Sequence, residues 1–193
     1  GIASACAPAL DHCSRLAALE QTGEHGIAVS LLQWSSAGAQ AEAIPWTHIN
    51  THPGAFAFAA QVRSVGRLVP GGATALGNAM DRAARWTQTN GYLGERVVVD
   101  VSGDGRSNEG GSPAFARAAA NRLGITINGL AILNEEPGLA RYYIAGVVGG
   151  PGSFLLTADD FEDFAVAMRR KLYFEIVGPP VVEAPQARPE ERP

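Results

Sequence analysis

The side chain best suited to chemistry is the carboxylate of Asp104, which two glycines flank just after the β-branched run Val97–Val101. This pattern is typical of a buried strand that delivers an acidic group to the carboxyl edge of a parallel sheet, where ligands of α/β proteins bind. The same residues would also make an ordinary tight turn, because glycine supplies positive φ and aspartate bonds to nearby backbone groups. This stretch alone leaves both interpretations open.

A second oxygen-bearing side chain, Thr74, precedes a predicted helix. Leu76, Met80 and Thr87 recur on one helical face, and Thr74 stands where an N-cap belongs. We therefore expect a hydroxyl at the N-terminus of this helix.

The histidines are weaker candidates for a metal site. His48 and His52 have the spacing of two ligands on one helical face, but Pro53 and the residues between them favour a strand end and a turn. His12 and His25 have no partners nearby in the sequence.

Motifs of nucleophilic and nucleotide-dependent enzymes are missing. There is no Gly-x-Ser-x-Gly elbow and no Walker loop, and the run Gly149–Gly152 lacks the strand-to-helix context of a dinucleotide fingerprint. A metal-dependent hydrolase that uses Asp104, Asp100 and the neighbouring loops remains an alternative.

Composition indicates one globular domain. The chain has 193 residues, of which 46% are hydrophobic. A net charge of −4 argues against a nucleic-acid or anionic-membrane partner. The sequence contains no apolar run of membrane-spanning length and no signal-peptide pattern.

Cys6 and Cys13 lie about two helical turns apart, too far for a disulfide, and are predicted to pack as thiols.

Hydrophobic periodicity predicts alternating helices and strands. Strands are expected at 26–34, 40–49, from 97 onward, 125–133 and 153–156, the second being an antiparallel edge strand that contains Pro45. Helices are expected at 1–20, 54–63, from 74 onward, 113–123, around Tyr142 and from 159 onward. The last helix should begin with a capping box of Asp159 and Glu162 and bury a face that includes Phe161 and Phe164. Residues 178–193 read as a disordered Pro- and Glu-rich tail, leaving 1–177 as the domain.

This alternation predicts an α/β fold with a doubly wound, mostly parallel sheet and one antiparallel edge strand. In such a fold the loops that follow parallel strands meet at one edge. Ser35, Ser36, Asp104 and Asn134 are therefore expected near one another.

The sequence resembles the von Willebrand factor A-like domains, and most of all a bacterial group of them whose function is not characterised. The helix start Gly71–Met80 and the strand end Ser102–Gly105 carry the resemblance. Supporting stretches are Gly26–Trp34, Pro45–Thr47, Asp100–Gly105, Gly124–Gly129, Gly149–Gly152 and Asp160–Phe164. For this group the resemblance implies export to the periplasm or the exterior.

The resemblance implies a binding module rather than an enzyme. In such domains an Asp-x-Ser-x-Ser strand, a threonine and an aspartate form a metal-ion-dependent adhesion site. It holds Mg²⁺ or Mn²⁺ and receives an acidic residue of a protein partner, in keeping with the preference of hard cations for oxygen. Thr74 matches the threonine and Asp104 the aspartate.

The Asp-x-Ser-x-Ser pattern does not occur in this sequence. By resemblance, the domain is truncated at its N-terminus: the first strand and part of the following helix are absent, so the metal site is incomplete. Two alternatives stay open, a chain that holds Mg²⁺ or Mn²⁺ and a chain that holds no ion. That strand would lie beside the one that starts at Val97. Each buried backbone group left without its partner costs about 1–3 kcal/mol, so we expect the chain to be unstable alone or to need a strand from elsewhere.

Overall fold

The computed structural model describes residues 26–177. Its elements are β1 (Ile27–Trp34), β2 (Gln40–Ile49), α1 (His52–Ser64), α2 (Leu76–Thr87), β3 (Val97–Gly103), α3 (Pro113–Arg122), β4 (Ile125–Ile132), α4 (Leu139–Gly146), β5 (Leu155–Ala158) and α5 (Phe161–Val177). The expected helix at 1–20, both cysteines, His12, His25 and the expected disordered tail lie outside the described residues. Within residues 26–177, none of the helices has the length and apolar character needed to cross a membrane.

The strands form a parallel sheet in the order β3-β4-β5 and an antiparallel pair β1-β2. The predicted α/β class and the antiparallel strand next to β1 are thus confirmed. In the parallel sheet Asp100 of β3 lies opposite Asn128 of β4. Exposed Pro45 lies within β2, in keeping with an edge position.

Strand β4 is the centre of the parallel sheet, and all of its residues are buried. On one face Ile125 and Ile127 join a core with residues of α2, α3 and α4. On the other face Leu130 and Ile132 pack against α5. Because helices cover both faces, this strand is apolar throughout rather than alternating.

Strand β1 is different, since each of its eight residues is only half-buried despite the apolar sequence. It pairs with β2 along one edge, and within residues 26–177 neither β1 nor β3 has a strand on its other edge. In the described residues each of the two sheets therefore has an unpaired edge, one at β1 and the other at β3.

Two predicted starts of helices are wrong by one residue. Ala75, not Thr74, is the N-cap of α2, and it makes no side-chain capping bond. Thr74 stays outside the helix because its backbone N–H and C=O bond to the loop after β3. At α5, Asp160 instead of Asp159 caps the helix, with Oδ1 accepting from the backbone N–H groups of Glu162 and Asp163.

The last strand and the last helix need further corrections. β5 begins at Leu155 rather than at residue 153, because the Ser153 N–H bonds back to Gly150 and the Phe154 N–H bonds to Asn128. On α5, Phe164 is buried as predicted, and Met168 one turn later is buried as well. Phe161 is instead 39% exposed, since it is the first residue of the helix.

Candidate metal centre

The turn after β1 contacts the segment that contains Thr74. The Ala75 N–H donates to the Ser35 carbonyl at 2.8 Å, and the Ala73 N–H donates to Ser36 Oγ at 3.1 Å. These bonds hold residues 73–75 against the end of β1.

The loop after β3 begins with exposed Asp104 and reaches the same segment. Asn108 Oδ1 accepts from the Thr74 N–H at 2.7 Å, and the Asn108 N–H donates to the Thr74 carbonyl at 3.0 Å. Ser107 Oγ donates to that carbonyl at 3.1 Å. The structure therefore places Thr74 and Asp104 in loops that are bonded to each other at the carboxyl edge of β3.

The loop after β4 completes this edge. Arg106 of the β3–α3 loop forms an ion pair with Glu136, and its guanidinium lies 5.3 Å from the centre of the Tyr142 ring. Asn134 is exposed in the same loop as Glu136. The loops that contain Ser35, Asp104 and Asn134 thus come together as expected from the strand order.

Beneath Asp104 lies a buried hydroxyl that the sequence did not indicate. Tyr143 of α4 is fully buried, and its Oη has no hydrogen-bond partner within residues 26–177. A Cβ on Gly103 would lie 2.6 Å from this oxygen and 4.0 Å from the Trp34 ring, so the glycine makes room for both side chains. Burial, followed by the charge of Asp104, raises the pKa of the Tyr143 hydroxyl.

Asp100, the other carboxylate of β3, is part of a separate polar cluster under α5. Its carboxylate pairs with the ammonium of fully buried Lys171, which also lies 3.1 Å from Glu175 Oε1. Asn128 Nδ2 donates to that same oxygen at 2.5 Å. Burial lowers the Lys171 pKa to about 8, while Glu175 opposes the shift.

Sequence reasoning missed this cluster, although a signal was present. One stripe of α5 contains Phe164, Met168, Lys171 and Glu175, so the helical period that marks the core also marks a buried lysine and a half-buried glutamate. Asp100, named in the hydrolase alternative, already has a cation partner here.

The histidines do not form a metal site among the described residues. His48 lies in β2 and stacks on Tyr92, whereas His52 begins α1, so they do not share a helical face. Within residues 26–177 no three His, Cys, Asp or Glu side chains gather around a common point. The Thr74 hydroxyl and the Asp104 carboxylate are oxygen groups in the loops at the carboxyl edge, and their type fits a hard divalent cation.

Comparison with known families identifies the family of this chain. The model of a family described as proteins of unknown function, DUF1194, matches residues 3–180. The chain belongs to that family. A comparison with curated proteins gives no match.

Solved structures resemble this DUF1194 chain in fold. Proximal thread matrix protein 1 from the mussel byssus superposes with a TM-score of 0.63 at 16% identity, over 86% of this chain and 41% of the mussel protein. Another structure of that protein has zinc in its metal-ion-dependent adhesion site (MIDAS) motif. It gives a TM-score of 0.56 at 15% identity over 86% of this chain and 42% of that one. This chain thus spans about two fifths of the mussel protein.

A bacterial structure has a similar fold over most of its length. It is an aerotolerance-related membrane protein from Bacteroides fragilis, with a TM-score of 0.50 at 19% identity over 84% of this chain and 87% of that one. Together with the mussel structures, it shows that the DUF1194 chain has a von Willebrand factor A-like fold, as the sequence resemblance implied.

Proposed function

We propose that this DUF1194 chain is a protein-binding module that binds its partner through a divalent cation at the carboxyl edge of β3. The observation that carries the proposal is the bonded pair of loops that bring Thr74 and Asp104 to that edge. The zinc-occupied MIDAS motif of the mussel protein supports a metal in a domain of this fold. The proposed partner supplies a carboxylate to the cation.

Mg²⁺ or Mn²⁺ is the proposed ion, since both prefer oxygen ligands and retain water that a carboxylate can displace. Asp104 and Thr74 would hold it, directly or through water. Those side chains fit the ion in kind but do not fill its coordination sphere, so we propose that further oxygens come from a strand between β1 and β3.

The open edges of β1 and β3 support this additional strand. Both edges carry unpaired backbone groups within the described residues, and β1 is only half-buried. The unpartnered hydroxyl of Tyr143 lies next to Gly103 at the end of β3, where an oxygen of such a strand could accept its hydrogen bond. A strand there would join the two described sheets into one.

Calorimetric titration with Mn²⁺ tests the metal site on the chain as given and on a version with an N-terminal strand that carries Asp-x-Ser-x-Ser. We expect the extended version to bind more tightly, and Asp104→Asn to weaken its affinity at least about tenfold because a charged ligand is lost. Glu135→Gln is the matched control, since it removes the same charge from an exposed position in a loop at the same edge.

The proposal fails if the extended version binds no divalent ion, or if Asp104→Asn and Glu135→Gln have equal effects. Metal-dependent turnover of a phosphoester or ester panel that Asp104→Asn abolishes would favour the hydrolase instead. A thermal melt tests the additional strand: a cooperative melt of the monomeric chain as given, at a midpoint as high as that of the extended version, would contradict it.

A further inference from the structure

The backbone of Thr74 is held from both sides by one residue of another loop. Asn108 accepts from the Thr74 N–H through Oδ1 and returns its own N–H to the Thr74 carbonyl, at 2.7 Å and 3.0 Å. Ser107 Oγ adds a bond to that carbonyl. Because Thr74 precedes the N-cap of α2, no hydrogen bond within the helix fixes its backbone. The bonds to Asn108 and Ser107 fix it instead.

The loop that contains Asn108 is itself anchored. The Gly111 N–H donates to Asn78 Oδ1 of α2 at 2.7 Å, and Glu109 Oε1 accepts from the Ala37 N–H at 3.0 Å. Gly110 has a φ of +77°, and a Cβ there would lie 2.1 Å from Asn78 Oδ1. The loop is therefore fastened to α2 and to the turn after β1 on either side of its bond to Thr74.

We propose that Asn108 is a positioning residue for the metal site: it fixes Thr74 relative to Asp104, which begins the loop to which Asn108 belongs. The inference rests on the proposed function. A cation site tolerates ligand displacements of only about 0.2 Å, so a residue that fixes the distance between two ligand-bearing segments sets affinity without touching the ion.

The experiment is Mn²⁺ titration of the version extended by the Asp-x-Ser-x-Ser strand, and the variants below are compared with that unsubstituted version. Asn108→Ala removes the acceptor for the Thr74 N–H, and we expect affinity to fall about tenfold, as for other residues that orient metal ligands. Asn108→Asp keeps the acceptor and should retain wild-type affinity or exceed it. Asn90→Ala is the matched control, because Asn90 Oδ1 makes the same kind of bond to a backbone N–H, that of Tyr92, away from the site.

A double-mutant cycle shows whether Asn108 acts through Thr74. Thr74→Val removes the hydroxyl ligand and keeps the backbone bonds, so Asn108→Ala should cost much less affinity in that background than in wild type. An equal cost in both backgrounds would overturn the inference, as would unchanged affinity in Asn108→Ala.

Hydrogen exchange at the Thr74 amide separates this inference from the proposed function. Asn108→Ala should lose protection at that amide with or without metal. An extended version that binds no Mn²⁺ would refute the proposed function, and with it a role in metal affinity, even with the protection present. Lost protection with unchanged Mn²⁺ affinity would refute the positioning role alone.

Discussion

Asp100 and Asp104 lie four residues apart on and just beyond the same strand, yet their surroundings differ. Asp100 pairs with the buried ammonium of Lys171, whose other contacts are Glu175 and the face of Phe154. Both aspartates are exposed, but among the described residues no Lys or Arg pairs with Asp104. One carboxylate uses a cation of the protein itself, and the other is free to take a cation from solution.

The difference shows how one strand can serve both stability and binding. The buried ammonium of Lys171 needs a partner of opposite charge, and its pairing with Asp100 ties α5 to the sheet. A carboxylate at a sheet edge that has no such partner remains hydrated and can exchange water for a metal ion at little cost. The following predictions test this contrast, starting with the largest effect.

Lys171→Met should lower the free energy of unfolding by about 1–3 kcal/mol, because it leaves the largely buried carboxylate of Glu175 without its cation, whereas exposed Asp100 can be hydrated instead. Arg85→Met is the control: its pair with Asp81 is exposed, so its loss should cost at most about 0.5 kcal/mol. Urea denaturation of both variants measures the difference. Equal losses would mean that the Asp100 cluster contributes no more to the free energy of unfolding than a surface ion pair does.

The stability contribution of Lys171 should increase with pH. Burial lowers its pKa from the ordinary lysine value of 10.5 to about 8 in the folded chain. Between these values the unfolded chain binds more protons, so rising pH favours folding, by roughly 1 kcal/mol from about pH 7 to about pH 9. Urea midpoints of wild type and Lys171→Met across this range measure the contribution by difference. Parallel curves would contradict the lowered pKa.

Tyr143→Phe tests the Asp104 side of the comparison. A buried hydroxyl without a partner is unfavourable, so the variant of the chain as given should gain about 1 kcal/mol in the free energy of unfolding. In the version extended by a strand between β1 and β3, the hydroxyl gains an acceptor and the sign should reverse. Tyr142→Phe is the control, since Tyr142 Oη already accepts from the Ser107 N–H. A gain of equal size in both versions would argue against an acceptor on that strand.

Much of the fold followed from local pattern. The apolar run of β4, the glycine-flanked end of β3 and the antiparallel β2 with Pro45 each indicate their place through periodicity and turn chemistry, which act over a few residues. The same reasoning predicted that the loops with Ser35, Asp104 and Asn134 share an edge, because strand direction determines which loops meet there. The pairing of Thr74 with Asp104 was predicted only from the family resemblance.

Long-range bonds could not be predicted in this way. Asn108 is 34 residues from Thr74, and its amide gives no sign in the sequence of which backbone group it will bind. Because of those bonds, the N-cap of α2 is Ala75 and not Thr74, the residue that the sequence pattern indicated. Lys171 was missed for another reason, since a lysine on an apolar stripe is ordinarily taken to extend to solvent.

The exposed proline in β2 has a consequence for self-association. Proline lacks the backbone donor that sheet extension requires, and register shifts in the β1-β2 ladder further distort this edge. The inner edges of β1 and β3 have no such protection in the described chain. Strand-to-strand aggregation of residues 26–177 would therefore begin at these two edges, and a short β-strand peptide that pairs with them would keep that part of the chain in solution.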